Sequence, residues 1–203
     1  MFITFEGCEG CGKSTQAKLL HKGLLKLGID ALFTMEPGGT PLGSSIRKLL
    51  KVRQNLAINP EAELLLFAAC RAQLVRDIIR PALNTNRVVI CDRFADSTVV
   101  YQGYGRGLDL NMIYFINDIA TDRLKPDITF LLDVEPDIGL ERKRNIHLDR
   151  FDAEDINFHS RIRNGYLSEA KKDPSRWRII NALQPIPRIR KIILEIVLKM
   201  VEK

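Results

Sequence analysis

Cysteine and histidine are scarce in this 203-residue sequence, with four of the first and three of the second. Cys8-x-x-Cys11 has no second CxxC to complete a zinc set, and the histidines are not at ligand spacing. A zinc or redox centre is therefore the weaker reading of that pair, and a reducing cytoplasm is the simple expectation. No apolar run approaches the roughly 18 residues of a membrane span, so no membrane is expected. The first residues read as a strand, not as the leader of a secreted chain, and no signal peptide is expected. Internal repeats, low-complexity tracts and a linker are all missing, which at this length predicts one domain over 1–203. Nucleic-acid module signatures are missing too. The net charge of +6 suits anionic ligands, but the basic residues form no continuous block. Arg142-Lys143-Arg144 and Arg150 make a local cluster, while Arg47, Arg71 and Arg93 stand singly. That scatter favours a phosphorylated small molecule over a nucleic-acid groove.

What is present begins at Gly7. Residues 7–14 read G-C-E-G-C-G-K-S, the GxxxxGK[ST] pattern of a phosphate-binding loop. Its context fits. Phe2-Ile3-Thr4-Phe5 is β-prone, and Ala17, Leu20, Leu24 and Leu27 recur at helical spacing before Gly28, a candidate C-cap. Glycines let backbone N–H groups turn inward around phosphate oxygens, and the start of the helix adds its positive dipole end. The loop Gly7, Cys8, Glu9, Gly10, Cys11, Gly12, Lys13, Ser14 and Thr15 is thus the candidate ATP site. Lys13 can reach the β/γ-phosphates and the Ser14 hydroxyl can ligate Mg²⁺.

Beyond the loop, strands and helices alternate. Strands are expected near 2–6, 29–34, 88–91, 128–132 and 178–180. Helices are expected near 13–27, 43–51, 59–81, 136–145, 153–172 and 185–201, with another capped by Asp109. Asn59-Pro60-Glu61 is a helix start, with a capping residue and then proline at the first helical position. Val88–Cys91 and Ile128–Leu132 are apolar on both faces, which implies a parallel sheet covered on both sides in an α/β fold. In such folds ligands bind at the carboxyl ends of strands. The phosphate loop, Asp92 and Asp133 fall there. Asp92 is a candidate partner of a Mg²⁺-bound water, and Asp133 reads as structural.

A phosphate loop alone says only nucleotide binding. The DxxG and NKxD motifs of regulatory GTPases and an ABC-type signature are absent, while arginines and aromatics mark a second pocket. Together they suggest a kinase with a small acceptor. Glu36-Pro37-Gly38-Gly39-Thr40, Phe67-Ala68-Ala69-Cys70-Arg71, Asp92-Arg93-Phe94, Tyr101-Gln102-Gly103, Leu148-Asp149-Arg150-Phe151 and Arg161-Ile162-Arg163…Tyr166 occur in the order found in thymidylate kinases. In these segments the chain resembles that family from residue 2 to roughly 185.

The resemblance implies a nucleoside monophosphate kinase-like P-loop NTPase fold, a three-layer αβα sandwich with a parallel sheet, and the reaction ATP + dTMP → ADP + dTDP with Mg²⁺. It implies that Arg93 and Arg47 hold the acceptor phosphate, Phe67 stacks on thymine, and Arg71 donates to O4. Thr98 and Gln102 would lie along the base edge and sugar, Tyr101 would crowd the sugar 2′ position, and Glu9 would approach the 3′-OH or the acceptor side. The bacterial variant places catalytic arginines in a lid, here about 142–152, and Arg142, Arg144 and Arg150 fit that description. Phe94 departs from the tyrosine often found after Asp-Arg. A homodimer in the cytoplasm is the implied assembly.

Overall fold

The computed structural model describes residues 1–51, 57–144 and 149–201. Residues 145–148, with the expected end of one helix and Leu148 of the lid motif, lie outside the described residues. Five strands form one parallel sheet in the order β2-β3-β1-β4-β5. They are β1 (Phe2–Glu6), β2 (Ala31–Met35), β3 (Val88–Asp92), β4 (Ile128–Asp133) and β5 (Trp177–Asn181). The central strands carry apolar side chains on both faces because both faces are covered. On one side Ile3, Phe5, Ile90 and Phe130 pack with Leu20 and Leu24 of α1 (Lys13–Lys26). Ile189, Ile193 and Val197 of the closing C-terminal helix, Ile186–Val201, complete that layer. On the other side Phe2, Val89 and Cys91 meet Leu74, Val75 and Ile79, while Leu131 and Trp177 meet Phe158, Ile162 and Tyr166. Each such buried aliphatic or aromatic side chain contributes about 1.5–3 kcal/mol. The result is the expected three-layer αβα sandwich.

Helix boundaries follow local chemistry. After α2 (Pro41–Lys51), α3 (Pro60–Leu74) starts where the Asn59 side chain accepts from Ala62 N at 2.7 Å. The chain widens into a π-helical turn over Val75–Ile79 before α4 (Arg80–Asn84), since Pro81 lacks the N–H that a continuous ladder needs. Residues 95–105, unassigned from the sequence, are helical. Here α5 (Ala95–Thr98) runs into a second π-helical turn, Val99–Gly105. The β-branched run Thr98-Val99-Val100 and two glycines read against a helix. Tight packing makes one, since a Cβ at Gly103 would meet Leu110 Cδ2 at 2.4 Å. Asp109 caps α6 (Leu110–Thr121) through Met112 N at 2.8 Å. Two helices follow β4, α7 (Pro136–Lys143) and α8 (Ile156–Lys172), and the C-terminal helix is α9. Asp133 receives Arg163 at 2.8 and 3.0 Å, which pins α8 to the end of β4 in the structural role expected of it.

Candidate active site

The carboxyl ends of β1, β3 and β4 meet at the phosphate loop. Gly7, Gly10 and Gly12 all have positive φ, as a loop with inward N–H groups requires. Gly10 also has no room for a side chain, since a Cβ would sit 1.8 Å from Gly139 O on α7. The loop and α7 are therefore in close backbone approach. Lys13, nearly buried, donates to Cys8 O at 2.5 Å and to Cys11 Sγ at 3.3 Å. The cysteines of the loop are free and buried, and burial pushes the Cys8 thiol up to about 12, far from a reactive thiolate.

Two cavities flank this loop. The larger lies over Gly10, Lys13, Ser14 and Thr15 and is bounded by Lys18, Arg47, Asp92, Arg142 and Lys143. The other is lined by Phe67, Arg71, Thr98, Tyr101, Gln102 and Phe151 among its walls. Glu9, Glu36, Pro37 and Arg93 line both. The sequence candidates therefore sort into two adjoining chambers with a shared wall. Phe67 and Arg71, one turn apart on α3, face the same chamber as the 95–105 helix, where Thr98, Tyr101 and Gln102 are spaced three and four residues apart.

Arg93 holds that wall. It is a non-glycine residue at φ 71°, a strained backbone position of the kind concentrated at functional sites. Nη2 donates to Glu9 Oε1 at 2.5 Å and to the Tyr101 hydroxyl at 3.1 Å. Nη1 donates to Ser97 Oγ and to the Tyr166 hydroxyl, each at 3.1 Å. Behind these hydroxyls stands Glu6, fully buried at the end of β1, which accepts from Phe94 N at 2.8 Å, Ser97 Oγ at 2.6 Å and Tyr166 OH at 2.8 Å. Burial, with a contribution from nearby Asp96, raises the Glu6 carboxyl to about 7 against the pull of Arg93. Burial acts on Glu9 in the same sense, but Arg93, Lys13 and Lys143 outweigh it and hold that carboxyl well below its usual range.

Arg71 is almost wholly buried. Nε donates to Glu36 at 2.8 Å, Nη1 to Asn117 Oδ1 at 2.7 Å, and Nη2 to Thr98 Oγ1 at 2.8 Å and Phe94 O at 3.3 Å. Among the described residues this leaves one N–H, on Nη1, for a ligand. Ser14 Oγ donates to Asp92 Oδ2. A hydroxyl beside a carboxylate at the mouth of a phosphate loop fits Mg²⁺, which takes few protein ligands and fills its shell with water and phosphate oxygens. Arg47 reaches the phosphate-loop chamber and donates to Pro37 O at 2.7 Å.

The lid candidates separate. Arg142 lines the phosphate-loop chamber, with both Nη atoms on Ala182 O at 3.2 and 3.1 Å. Arg144 is 74% exposed, pairs with Glu141, and lies outside both chambers. Arg150 also lies outside them, bound to Glu63 at 2.5 Å and to Leu50 O at 3.2 Å. The cation of this basic run that does stand at the shared wall is Lys143, missed in the sequence, which donates to Glu9 at 3.0 Å and Asp152 at 2.5 Å. Its only signal was its place inside the basic run. Glu6, Ser97 and Tyr166 were missed as a group because their partners are far apart in the chain.

The thymidylate kinase family model matches residues 5–193. The chain is 48% identical over 192 residues to a thymidylate kinase of Geotalea uraniireducens, covering 91% of this chain and 90% of that protein. It is 46% identical over 196 residues to a thymidylate kinase of Caldanaerobacter subterraneus, covering 97% and 94%. It is similar to the crystal structure of thymidylate kinase from Ehrlichia chaffeensis, with a TM-score of 0.80, 38% identity and 97% of each chain covered. With a phosphate loop, a second chamber and a shared wall all in place, the chain belongs to the thymidylate kinase family.

Proposed function

We propose that the two chambers divide the substrates of the family's reaction, ATP lying over the phosphate loop and dTMP between Phe67 and Arg93. The reaction itself, ATP + dTMP → ADP + dTDP, is that of a thymidylate kinase. The observation that carries the division is the shared wall of Glu9 and Arg93. A phosphoryl group moving from one chamber to the other must pass it.

Phosphoryl transfer asks mainly for in-line placement and neutralisation of charge. Lys13 and the loop N–H groups hold the β- and γ-phosphates of ATP. Ser14, and Asp92 through water, would hold Mg²⁺, which when bound neutralises those phosphates. Arg93 faces the dTMP phosphate and the migrating group, and Arg47 supports the same anion from α2. Glu9 fixes Arg93 from the loop side and faces the sugar, while Tyr101 closes the 2′ side. Phe67 stacks on the base, and Arg71, Thr98 and Gln102 read its edge. Arg142 and Lys143 bring lid charge onto the donor. No strong base is needed, because the acceptor phosphate is already anionic at neutral pH.

Leu65, Phe115 and Ile119, more than half exposed on the adjoining helices α3 and α6, support a homodimer that covers this face. Four buried free thiols suit the cytoplasm. No helix among the described residues is long and apolar enough to cross a membrane. The function is tested by coupled ADP release with dTMP and with thymidine. Turnover with dTMP alone supports the reading. Equal turnover with thymidine would show that the acceptor is a hydroxyl, and the roles of Arg93 and Arg47 would fall.

A further inference from the structure

Glu63 sits in the first turn of α3, 1% exposed and outside both chambers. Among the described residues, every side chain that bonds its carboxylate is a donor. Gln102 Nε2 lies at 2.6 Å, Arg150 Nη2 at 2.5 Å and Arg106 Nε at 3.4 Å. A carboxylate flanked by two guanidinium groups can only accept. The Gln102 amide is therefore polarised, with its NH₂ toward Glu63 and its carbonyl left to the chamber that Gln102 lines. No described residue donates to that carbonyl.

An unconstrained glutamine is an indifferent reader. It can turn its amide by half a revolution and offer either a donor or an acceptor. Thymine and uracil carry a hydrogen on ring N3, whereas cytosine presents a bare N3 acceptor. A fixed carbonyl pairs with the first two and opposes the lone pair of the third. We propose that Glu63 is a specificity-determining positioning residue, which locks the Gln102 amide in the orientation that accepts from a pyrimidine N3–H and so excludes cytosine. The inference rests on the placement of Gln102 at the base edge. It is independent of Arg71, which faces the exocyclic group at position 4. It also links the lid to base choice, since Arg150 grips the same carboxylate.

The test compares kcat/KM for dTMP, dUMP and dCMP in four proteins. Glu63→Gln removes the obligatory acceptor and lets Gln102 turn. Glu63→Asp keeps the charge for Arg106 and Arg150 but withdraws the carboxylate from Gln102, so it serves if the first variant fails to fold. In each, the dTMP:dCMP ratio should fall roughly tenfold or more, the scale of one unpaired buried polar group. The dTMP:dUMP ratio should stay within about twofold, because both bases carry N3–H. A folded variant with an unchanged dTMP:dCMP ratio would overturn the proposal, as would an equal loss in both ratios, which marks general distortion of the pocket. Gln102→Met separates the two layers. If it moves the dTMP:dCMP ratio and the Glu63 variants do not, Gln102 reads the base and Glu63 does not set it. If it moves nothing, the placement of Gln102 itself is wrong, and the proposal fails with it.

Discussion

Glu9 Oε1 and Arg93 Nη2 meet at 2.5 Å in the wall between the two chambers, each side chain only about one-sixth exposed. The contact joins the phosphate loop to the residue that follows β3. Arg93 uses both Nη atoms on different partners. A lysine offers a single point charge and cannot span that fork. Arg93→Lys is expected to lower kcat by about 10²–10³, the scale of losing one preorganised charge-stabilising group. It should also raise the KM for dTMP while leaving the KM for ATP nearly unchanged. Steady-state kinetics with each substrate varied in turn checks this, and a purely ATP-side effect would move Arg93 out of the acceptor site.

The lid cations should differ in effect according to where they stand. Lys143 contacts Glu9 at the wall, Arg142 lines the phosphate-loop chamber, and Arg144 projects into solvent. Lys143→Ala and Arg142→Ala are expected to lower kcat by about tenfold or more, and arginines that reach the transferred group contribute up to roughly 10³–10⁵. Arg144→Ala should stay within about twofold, as surface substitutions usually do. Single-turnover rates on the three variants decide it. Loss confined to Arg144→Ala would mean that the lid closes in another arrangement.

Much of this architecture is legible in the amino-acid sequence. Val88–Cys91 and Ile128–Leu132 are strands by their predominantly apolar, β-prone character, and Asn59 and Asp109 announce helix starts by chemistry that is entirely local. The 95–105 helix was not readable, because its glycines pack against Leu110 and Phe158 and those contacts exist only in the folded chain. The same limit hid part of the site. Glu6 ends an apolar strand and looks like its edge, yet its partner Tyr166 is 160 residues away. Arg150 carried the lid motif but spends its charge on Glu63, contributed by a helix whose acidic first turn reads simply as a favourable helix start.

Arg71, proposed to read the base, is also a structural member. It is the counter-charge of buried Glu36, whose carboxyl is raised by burial even with the guanidinium in place. Arg71→Ala removes that partner and orphans Asn117 and Thr98 as well. Breaking a buried pair in this way costs roughly 3–5 kcal/mol, so a large fall in the urea midpoint is expected. A midpoint close to wild type would show that Glu36 finds water or another partner.

Glu6 should make stability depend on pH in an unusual direction. Its carboxyl rises from an ordinary 4.5 to about 7 on folding, so between those values the folded chain holds a proton that the unfolded chain has released. Stability from this group is fully present below about 4.5 and is lost as pH rises through about 7. At 1.36 kcal/mol per unit the effect is on the order of 3 kcal/mol. Glu6→Gln should flatten that decline. Urea unfolding of both proteins from pH 5 to 8 checks it, and parallel pH curves would remove Glu6 as the cause.

The most direct test of the whole account is kcat/KM for dTMP, dUMP and dCMP, measured side by side on the wild-type chain. An N–H of Arg71 would donate to O4 of thymine or uracil, but it meets the N4 amino group of cytosine with no acceptor to offer. Unpaired buried groups of that kind reject a substrate by about 10⁴. The methyl group of thymine is a weaker handle, worth roughly 10–200-fold. The account predicts dTMP first, dUMP behind it by that smaller factor, and dCMP far behind both. Turnover of dCMP equal to that of dUMP would contradict it, since neither Arg71 nor Gln102 could then be reading the base.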